Sequence, residues 1–125
     1  MTDLPRLFGA LGAGFSFLAV ALGAFAAHAL RSRLDPRALE IFEVAVRYQF
    51  FHALALLVVA VVLERGSGIW AASAGWAFLA GILIFSGSLY LLVATDNSRW
   101  GAVTPVGGMA FLIGWLLLAW HFVRG

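Results

Sequence analysis

Cysteine and lysine are absent from this chain of 125 residues, and charged residues of any kind make up only 11% of it. Without cysteine, disulfides, thiol redox chemistry and cysteine-bound metals or clusters are excluded. All eight basic residues are arginines, and they form no run of the kind that indicates nucleic-acid binding. We therefore expect no nucleic-acid partner, no cofactor and no metal.

Apolar residues dominate the remainder, at 63% of the chain. They form four long runs, at about residues 7–30, 44–63, 69–94 and 102–123. A helix of about 20 apolar residues crosses the hydrocarbon core of a bilayer. A soluble domain with this composition would expose far too much apolar surface. The sequence predicts an all-α integral membrane protein, an antiparallel four-helix bundle in which residues 1–125 form one domain.

The first apolar run has a competing interpretation. Arg6 followed by a run that ends in small residues resembles a secretory signal peptide. This run is about 24 residues, whereas the apolar part of a signal peptide spans about 7–15. We therefore predict that it is the first membrane helix. Pairs of small residues lie four apart along it: Ala10 and Gly14, Gly12 and Ser16, Ala19 and Gly23. Such pairs favour close packing, so we expect this helix to be central.

Local signals predict two of the helix boundaries. Asp35 before Pro36 is a helix-start pattern, because Asp accepts hydrogen bonds from free backbone N–H groups and Pro suits the first helical position. The second helix should therefore begin near Pro36, well before its apolar part. Pro105 similarly predicts that the fourth helix opens at Thr104–Pro105.

Polar residues at membrane depth are concentrated in one half of the predicted bundle. In four antiparallel spans, the loops after the first and third helices share one side of the membrane. The half nearest these loops contains His28, Arg47, Tyr48, Gln49, His52, Ser86, Ser88, Tyr90 and Thr104. Unpaired polar groups are costly in hydrocarbon, so these side chains should turn inward and form a cluster. We expect His52 to meet Tyr48, His28, and Ser86 or Tyr90.

Several interpretations of this cluster stay open. It can act only as a hydrogen-bonded staple between helices. It can also form a pocket in which Arg47, Tyr48, Gln49 and His52 hold a lipid headgroup, a quinone or another small molecule. A metal site made from His28 and His52 with Glu43 or Asp96 has no ligand-spacing motif to support it. Proton or solute transport has no supporting motif either.

The chain resembles a known family in several motifs that occur in the same order. They are the segments 23–30 (GAFAAHAL), 48–54 (YQFFHAL), 85–90 (FSGSLY) and 104–108 (TPVGG), together with Gly114-Trp115. These resemble the domain of unknown function 423 family, small bacterial inner-membrane proteins similar to the eukaryotic transmembrane protein 256. Ala26 stands where the family motif has Gly. The resemblance implies a four-helix membrane protein in the bacterial inner membrane and assigns no catalytic residue.

These observations lead to one hypothesis and two alternatives. The chain is predicted to be a membrane binding or accessory protein whose polar half-pocket holds a lipid-like or small polar ligand. An intramembrane enzyme or a transporter of protons or small solutes is one alternative, and a purely structural membrane subunit is the other. No catalytic residue is predicted. The expected partners are membrane lipids, such a ligand, and further copies of the chain in a homo-oligomer.

Overall fold

Four long helices form the protein, and the computed structural model describes residues 3–124 of it. Helix α1 spans Asp3–His28, α2 Pro36–Arg65, α3 Ile69–Thr95 and α4 Arg99–Arg124. Each is long and apolar enough to cross a membrane. The prediction of an all-α, antiparallel four-helix membrane bundle is confirmed. Residues 1, 2 and 125 of the predicted domain lie outside the described part.

Of the two boundaries that local signals predicted, one is confirmed and one is wrong, and the end of the first apolar run also differs from the end of α1. α2 begins at Pro36, and the Asp35 carboxylate accepts a hydrogen bond of 2.7 Å from the N–H of Ala38, as predicted. α1 ends at His28, before the predicted residue 30, because a 3₁₀ turn begins at Leu30. α4 begins at Arg99, so Pro105 lies inside the helix and does not open it. The Asn97 side chain accepts from the N–H of Arg99 at 3.0 Å and initiates the helix earlier.

α2 is the central helix, which corrects the expectation for α1. The apolar window of α1 is 17% buried and that of α2 is 39% buried. The buried residues of α1 form a single stripe along one face of the helix, at spacings of three, four and seven: Pro5, Phe8, Gly12, Ala19 and Ala26. Its other small residues, such as Ala10 and Gly14, lie away from the stripe. Because α1 packs mainly on α2, one of the three small-residue pairs, Ala10 and Gly14, is left facing outward.

α3 and α4 form a close hairpin in which glycines receive aromatic rings. Phe78 packs on Gly114, and Phe111 packs on Gly81. Midway along α3, residues 82–86 form a π-helical turn, which is wider than an α-helical turn. The backbone of Phe85 in this turn lies directly against Gly107 of α4. The α3–α4 interface therefore brings backbone against backbone at this level.

Candidate functional site

Gln49 is the centre of a hydrogen-bond network that joins three helices. Its side-chain Nε2 donates to the carbonyl of Phe15 in α1 at 2.9 Å. Its Oε1 accepts from the Tyr90 hydroxyl of α3 at 2.7 Å. Gln49 is buried within the bundle, where water cannot replace these partners. The amide therefore ties α1, α2 and α3 together at one level.

Three further hydroxyl groups make two separate bonds between helices, one of which reaches α4. The Ser86 hydroxyl donates to the carbonyl of Ala45 in α2 at 2.7 Å. The hydroxyl groups of Ser88 and Thr104 lie 2.6 Å apart and join α3 to α4. We call Gln49, Ser86, Ser88, Tyr90 and Thr104 the interhelical network. Each of its side chains has a protein partner, so the network satisfies its own polar groups.

His52 lies apart from this network, near the middle of α2. The residue is 4% exposed and lies about 24 Å along the helix from Pro36. The Nδ1 atom lies 2.7 Å from the carbonyl oxygen of Tyr48. The Nε2 atom accepts from the indole N–H of Trp115 at 3.0 Å. A carbonyl only accepts and an indole only donates, so His52 is the neutral tautomer with its hydrogen on Nδ1.

Aromatic rings surround His52, and Tyr48, a neighbour that the sequence predicted, is one of them. The imidazole stacks on Phe111 with 3.5 Å between ring centroids and 9° between planes. The Tyr48 ring lies at 21° to that of His52 and at 29° to that of Phe111. These three rings are therefore close to parallel. Neither Ser86 nor Tyr90 bonds to His52; Ser86 bonds to Ala45 and Tyr90 to Gln49.

A cleft of about 580 Å³ lies beside these rings, between α2 and α4 and over α3. We call it the aromatic cleft; it is lined by Tyr48, Phe51, His52, Leu54, Phe85, Gly108, Phe111, Leu112 and Trp115. None of these described lining residues carries a fixed charge. Phe51 and Leu112 are exposed at its rim, so the cleft opens towards the lipid.

The Tyr48 hydroxyl is the polar group that this cleft leaves free. The side chain is 38% exposed. Within residues 3–124, its hydroxyl has no hydrogen-bond partner. By contrast, both ring nitrogens of His52 and the indole N–H of Trp115 are engaged with each other or with backbone. A molecule in the cleft therefore meets one available side-chain donor.

Two of the predicted site residues belong neither to the interhelical network nor to the aromatic cleft. His28 is exposed at the end of α1, and Arg47 is exposed in a groove with Glu43 between α1 and α2. The register of the first two helices explains the position of His28. Gly12 packs beside Ala53, so His28 lies about 24 Å along the bundle from the level of His52. The expectation that the two histidines are neighbours was wrong.

This separation also removes the metal alternative that joined the two histidines. Among the described residues, no group of three His, Asp or Glu side chains is placed to hold a metal ion. Trp115 and Phe111 are the functional candidates that the sequence reasoning missed. Their spacing of four places both on one face of α4. The indole N–H of Trp115 is a polar group within an apolar span, and this is the signal in the sequence that identifies it.

The interhelical network predicts that Tyr90→Phe and Tyr48→Phe change the stability of the protein by different amounts. Tyr90→Phe removes the bond to Gln49 and leaves a buried amide oxygen without its partner. We expect its free energy of unfolding in detergent micelles to fall by about 0.6–2 kcal/mol. Tyr48→Phe is the matched control, since its hydroxyl has no partner, and should stay within about 0.5 kcal/mol of wild type. Equal stability of the two variants would contradict the network's role.

The fold and its buried polar bonds define a class: small membrane proteins of four spanning helices that are held together by side-chain hydrogen bonds.

The family described as "Protein of unknown function (DUF423)" matches residues 22–108 of this chain. The UPF0382 membrane protein YwdK of Bacillus subtilis is 46% identical over 114 residues, covering 90% of this chain and 93% of its own. The UPF0382 membrane protein SAB0533 of Staphylococcus aureus is 45% identical, with 90% and 92% covered.

A relative from Staphylococcus haemolyticus, the UPF0382 membrane protein SH2409, is 42% identical over 113 residues. No solved structure matches this chain. The chain belongs to the DUF423 family, as its motifs predicted, and it is a membrane protein like these relatives.

Proposed function

We propose that this protein is a binding or accessory protein that holds a lipid-like ligand in the aromatic cleft. The observation that carries this proposal is one unpartnered hydroxyl, that of Tyr48, in an otherwise apolar cleft. The volume of about 580 Å³ is within the usual range for small-molecule sites, about 300–1,000 Å³. Apolar walls with few polar groups are typical of such sites.

The proposed ligand site differs from the one that the sequence predicted. Gln49 was expected to contact the ligand, but its amide is engaged by Phe15 and Tyr90. Arg47 faces the groove with Glu43 instead of the cleft. The remaining candidates are Tyr48 and His52, both of which line the cleft. The pocket we propose is therefore more apolar than the predicted polar half-pocket.

A purely structural role is the second candidate, and the interhelical network favours it. All five of its side chains find partners inside the protein, as a staple requires. The geometry offers less support for an enzyme. His52 has no carboxylate among the groups that bond it, and both of its nitrogens are occupied. General acid–base catalysis needs a group that can exchange a proton with its substrate.

The proposed location is the bacterial inner (plasma) membrane, which the family resemblance implies; the relatives from Bacillus and Staphylococcus are named membrane proteins. We also propose a homo-oligomer. Ala10 and Gly14 on α1 support it, because they form a small-residue pair on a face that α2 does not cover. Nothing lies within 4 Å of a Cβ built on Gly14. Such faces allow close helix approach within a membrane.

Filling the aromatic cleft should remove the ligand without unfolding the protein. A Cβ at Gly108 would make ordinary contact with the Phe85 ring at 3.8 Å, so Gly108→Leu extends into the cleft. Wild type, purified in mild detergent, should retain one lipid-like species that is enriched over the bulk membrane extract. We expect Gly108→Leu to reduce that species about tenfold, a loss of about 1.4 kcal/mol of binding. Mass spectrometry of extracted lipids measures it.

Ala119→Leu is the control for this experiment, because Ala119 is an exposed small residue of the same helix and does not line the cleft. It should retain the wild-type lipid profile. Circular dichroism and thermal unfolding should show that all three proteins are folded. The proposal is refuted if wild type enriches no species or if Gly108→Leu keeps the species at the wild-type level.

A further inference from the structure

The charge of the aromatic cleft restricts what its ligand can be. Its described walls contain no Arg, Asp or Glu. His52 is neutral in its bonded tautomer, with the Trp115 indole N–H pointing at Nε2. A phosphate, carboxylate or ammonium group would lose its hydration here without gaining a counter-charge, which is costly. The part of the ligand that enters the cleft is therefore uncharged.

The ring geometry restricts the shape of the ligand. Tyr48, His52 and Phe111 lie with their planes within about 30° of one another, as given above, and Phe85 and Trp115 complete the wall. Aromatic rings prefer offset-stacked or edge-to-face neighbours, so this wall favours a flat ring over a branched aliphatic group. Gly108 opposite Phe85 leaves space where a side chain would stand.

The single free donor restricts the ligand's polar chemistry. The Tyr48 hydroxyl can donate one hydrogen bond, and the other side-chain donors in the wall are engaged. A hydroxyl that faces hydrocarbon without a partner favours a ligand that supplies an acceptor, because an unpaired polar group is costly there. A ring carbonyl is an uncharged acceptor that lies in the plane of a flat ring.

The depth and opening of the cleft set where the remainder of the ligand goes. His52 lies about 20 Å along α2 from Arg65 and about 24 Å from Pro36, which places the cleft well inside the bilayer. Its rim residues Phe51, Leu54 and Leu112 are exposed to lipid. An apolar tail attached to the ring can therefore leave the cleft directly into the hydrocarbon.

We infer that the ligand is a lipid of the quinone class, with an uncharged flat ring in the aromatic cleft, a ring carbonyl accepting from the Tyr48 hydroxyl, and an apolar tail in the membrane. This inference rests on the proposed function and names its ligand class. It concerns binding alone.

The test is a titration of the purified full-length protein in micelles with a benzoquinone carrying a saturated alkyl chain. Quinones quench tryptophan fluorescence, and Trp115 is in the cleft wall while the chain has five Trp in all. We expect a saturable quenching component in wild type that is absent in Gly108→Leu and present in Ala119→Leu. Quenching that is not saturable measures partitioning into the micelle and is subtracted.

The two tyrosine variants test the hydrogen bond. Tyr48→Phe should raise the dissociation constant about fivefold, since it removes one neutral hydrogen bond. Tyr90→Phe should leave the constant within about twofold of wild type, since Tyr90 bonds Gln49 outside the cleft. Equal constants for wild type and Tyr48→Phe would overturn the assigned role of the hydroxyl. A single-chain phosphatidylglycerol added in competition should not displace the quinone.

The outcomes separate this inference from the proposed function. If the quinone shows no saturable component while lipid extracts still lose another species in Gly108→Leu, the quinone class is wrong and a ligand site stands. If neither is seen, both proposals fail. If Gly108→Leu instead lowers the oligomeric state in micelles, a second copy of the chain covers the cleft, and the inference is overturned.

Discussion

Gly107→Ala is expected to lower the free energy of unfolding by about 3 kcal/mol or more. A Cβ on Gly107 would lie 2.7 Å from the Cα of Phe85 and nearer still to its backbone nitrogen. A flexible side chain could move aside, but here the neighbour is the backbone of the π-helical turn at residues 82–86. The two helices would have to separate to admit the methyl group.

The adjacent Gly108 provides the matched control. A Cβ there would lie 3.8 Å from the Phe85 ring, which is ordinary van der Waals contact. Gly108→Ala should therefore stay within about 1 kcal/mol of wild type, and the higher helix propensity of Ala favours a small gain. Reversible unfolding in mixed micelles, followed by circular dichroism, measures both variants. Similar stabilities for Gly107→Ala and Gly108→Ala would refute the close approach of α3 and α4.

His52→Leu is expected to cost about 2 kcal/mol of stability. Leucine has a similar volume but offers no acceptor to the Trp115 indole and no donor to the Tyr48 carbonyl. It also removes the ring that stacks on Phe111 at 3.5 Å. His52→Gln should recover part of the loss, because an amide can accept from the indole N–H.

A double-mutant cycle isolates the bond between His52 and Trp115. Trp115→Phe alone should be destabilising, because it leaves the Nε2 atom of His52 without a donor. The double variant His52→Leu/Trp115→Phe should cost less than the sum of the single variants, by about 1 kcal/mol. Additive losses would show that the two side chains do not interact. Tryptophan emission gives an independent measurement. The Trp115 component, obtained by subtracting the emission of the matching Trp115→Phe variant, should shift its maximum when the indole loses its acceptor in His52→Leu.

The polar residues illustrate how far a sequence can predict a membrane site. The residue types and their approximate depth could be predicted, because polar groups in an apolar span must find partners inside the protein. Five of the nine predicted residues form the interhelical network, and Tyr48 and His52 line the aromatic cleft. Their roles in binding a ligand stay a prediction. The identity of each partner could not be predicted, because it depends on how each helix is rotated.

The register between α1 and α2 shows the same limit. The sequence indicated that both helices exist and that α2 begins at Pro36, since Asp35 and Pro36 act locally on the chain. The pairing of Gly12 with Ala53 arises from packing across two helices. Because of that pairing, His28 lies at the end of the bundle and the Phe15 carbonyl lies within hydrogen-bonding distance of Gln49.

The sequence by itself determined the class of this protein, the number of its spans and the start of α2, because hydropathy and helix caps depend on residues that are close along the chain. The tertiary structure alone decided the bond between His52 and Trp115, the π-helical turn beside Gly107, and the aromatic cleft between α2 and α4. These features join residues far apart in sequence. Their geometry follows from how apolar helices of nearly uniform hydrophobicity interlock, and hydropathy does not record that fit.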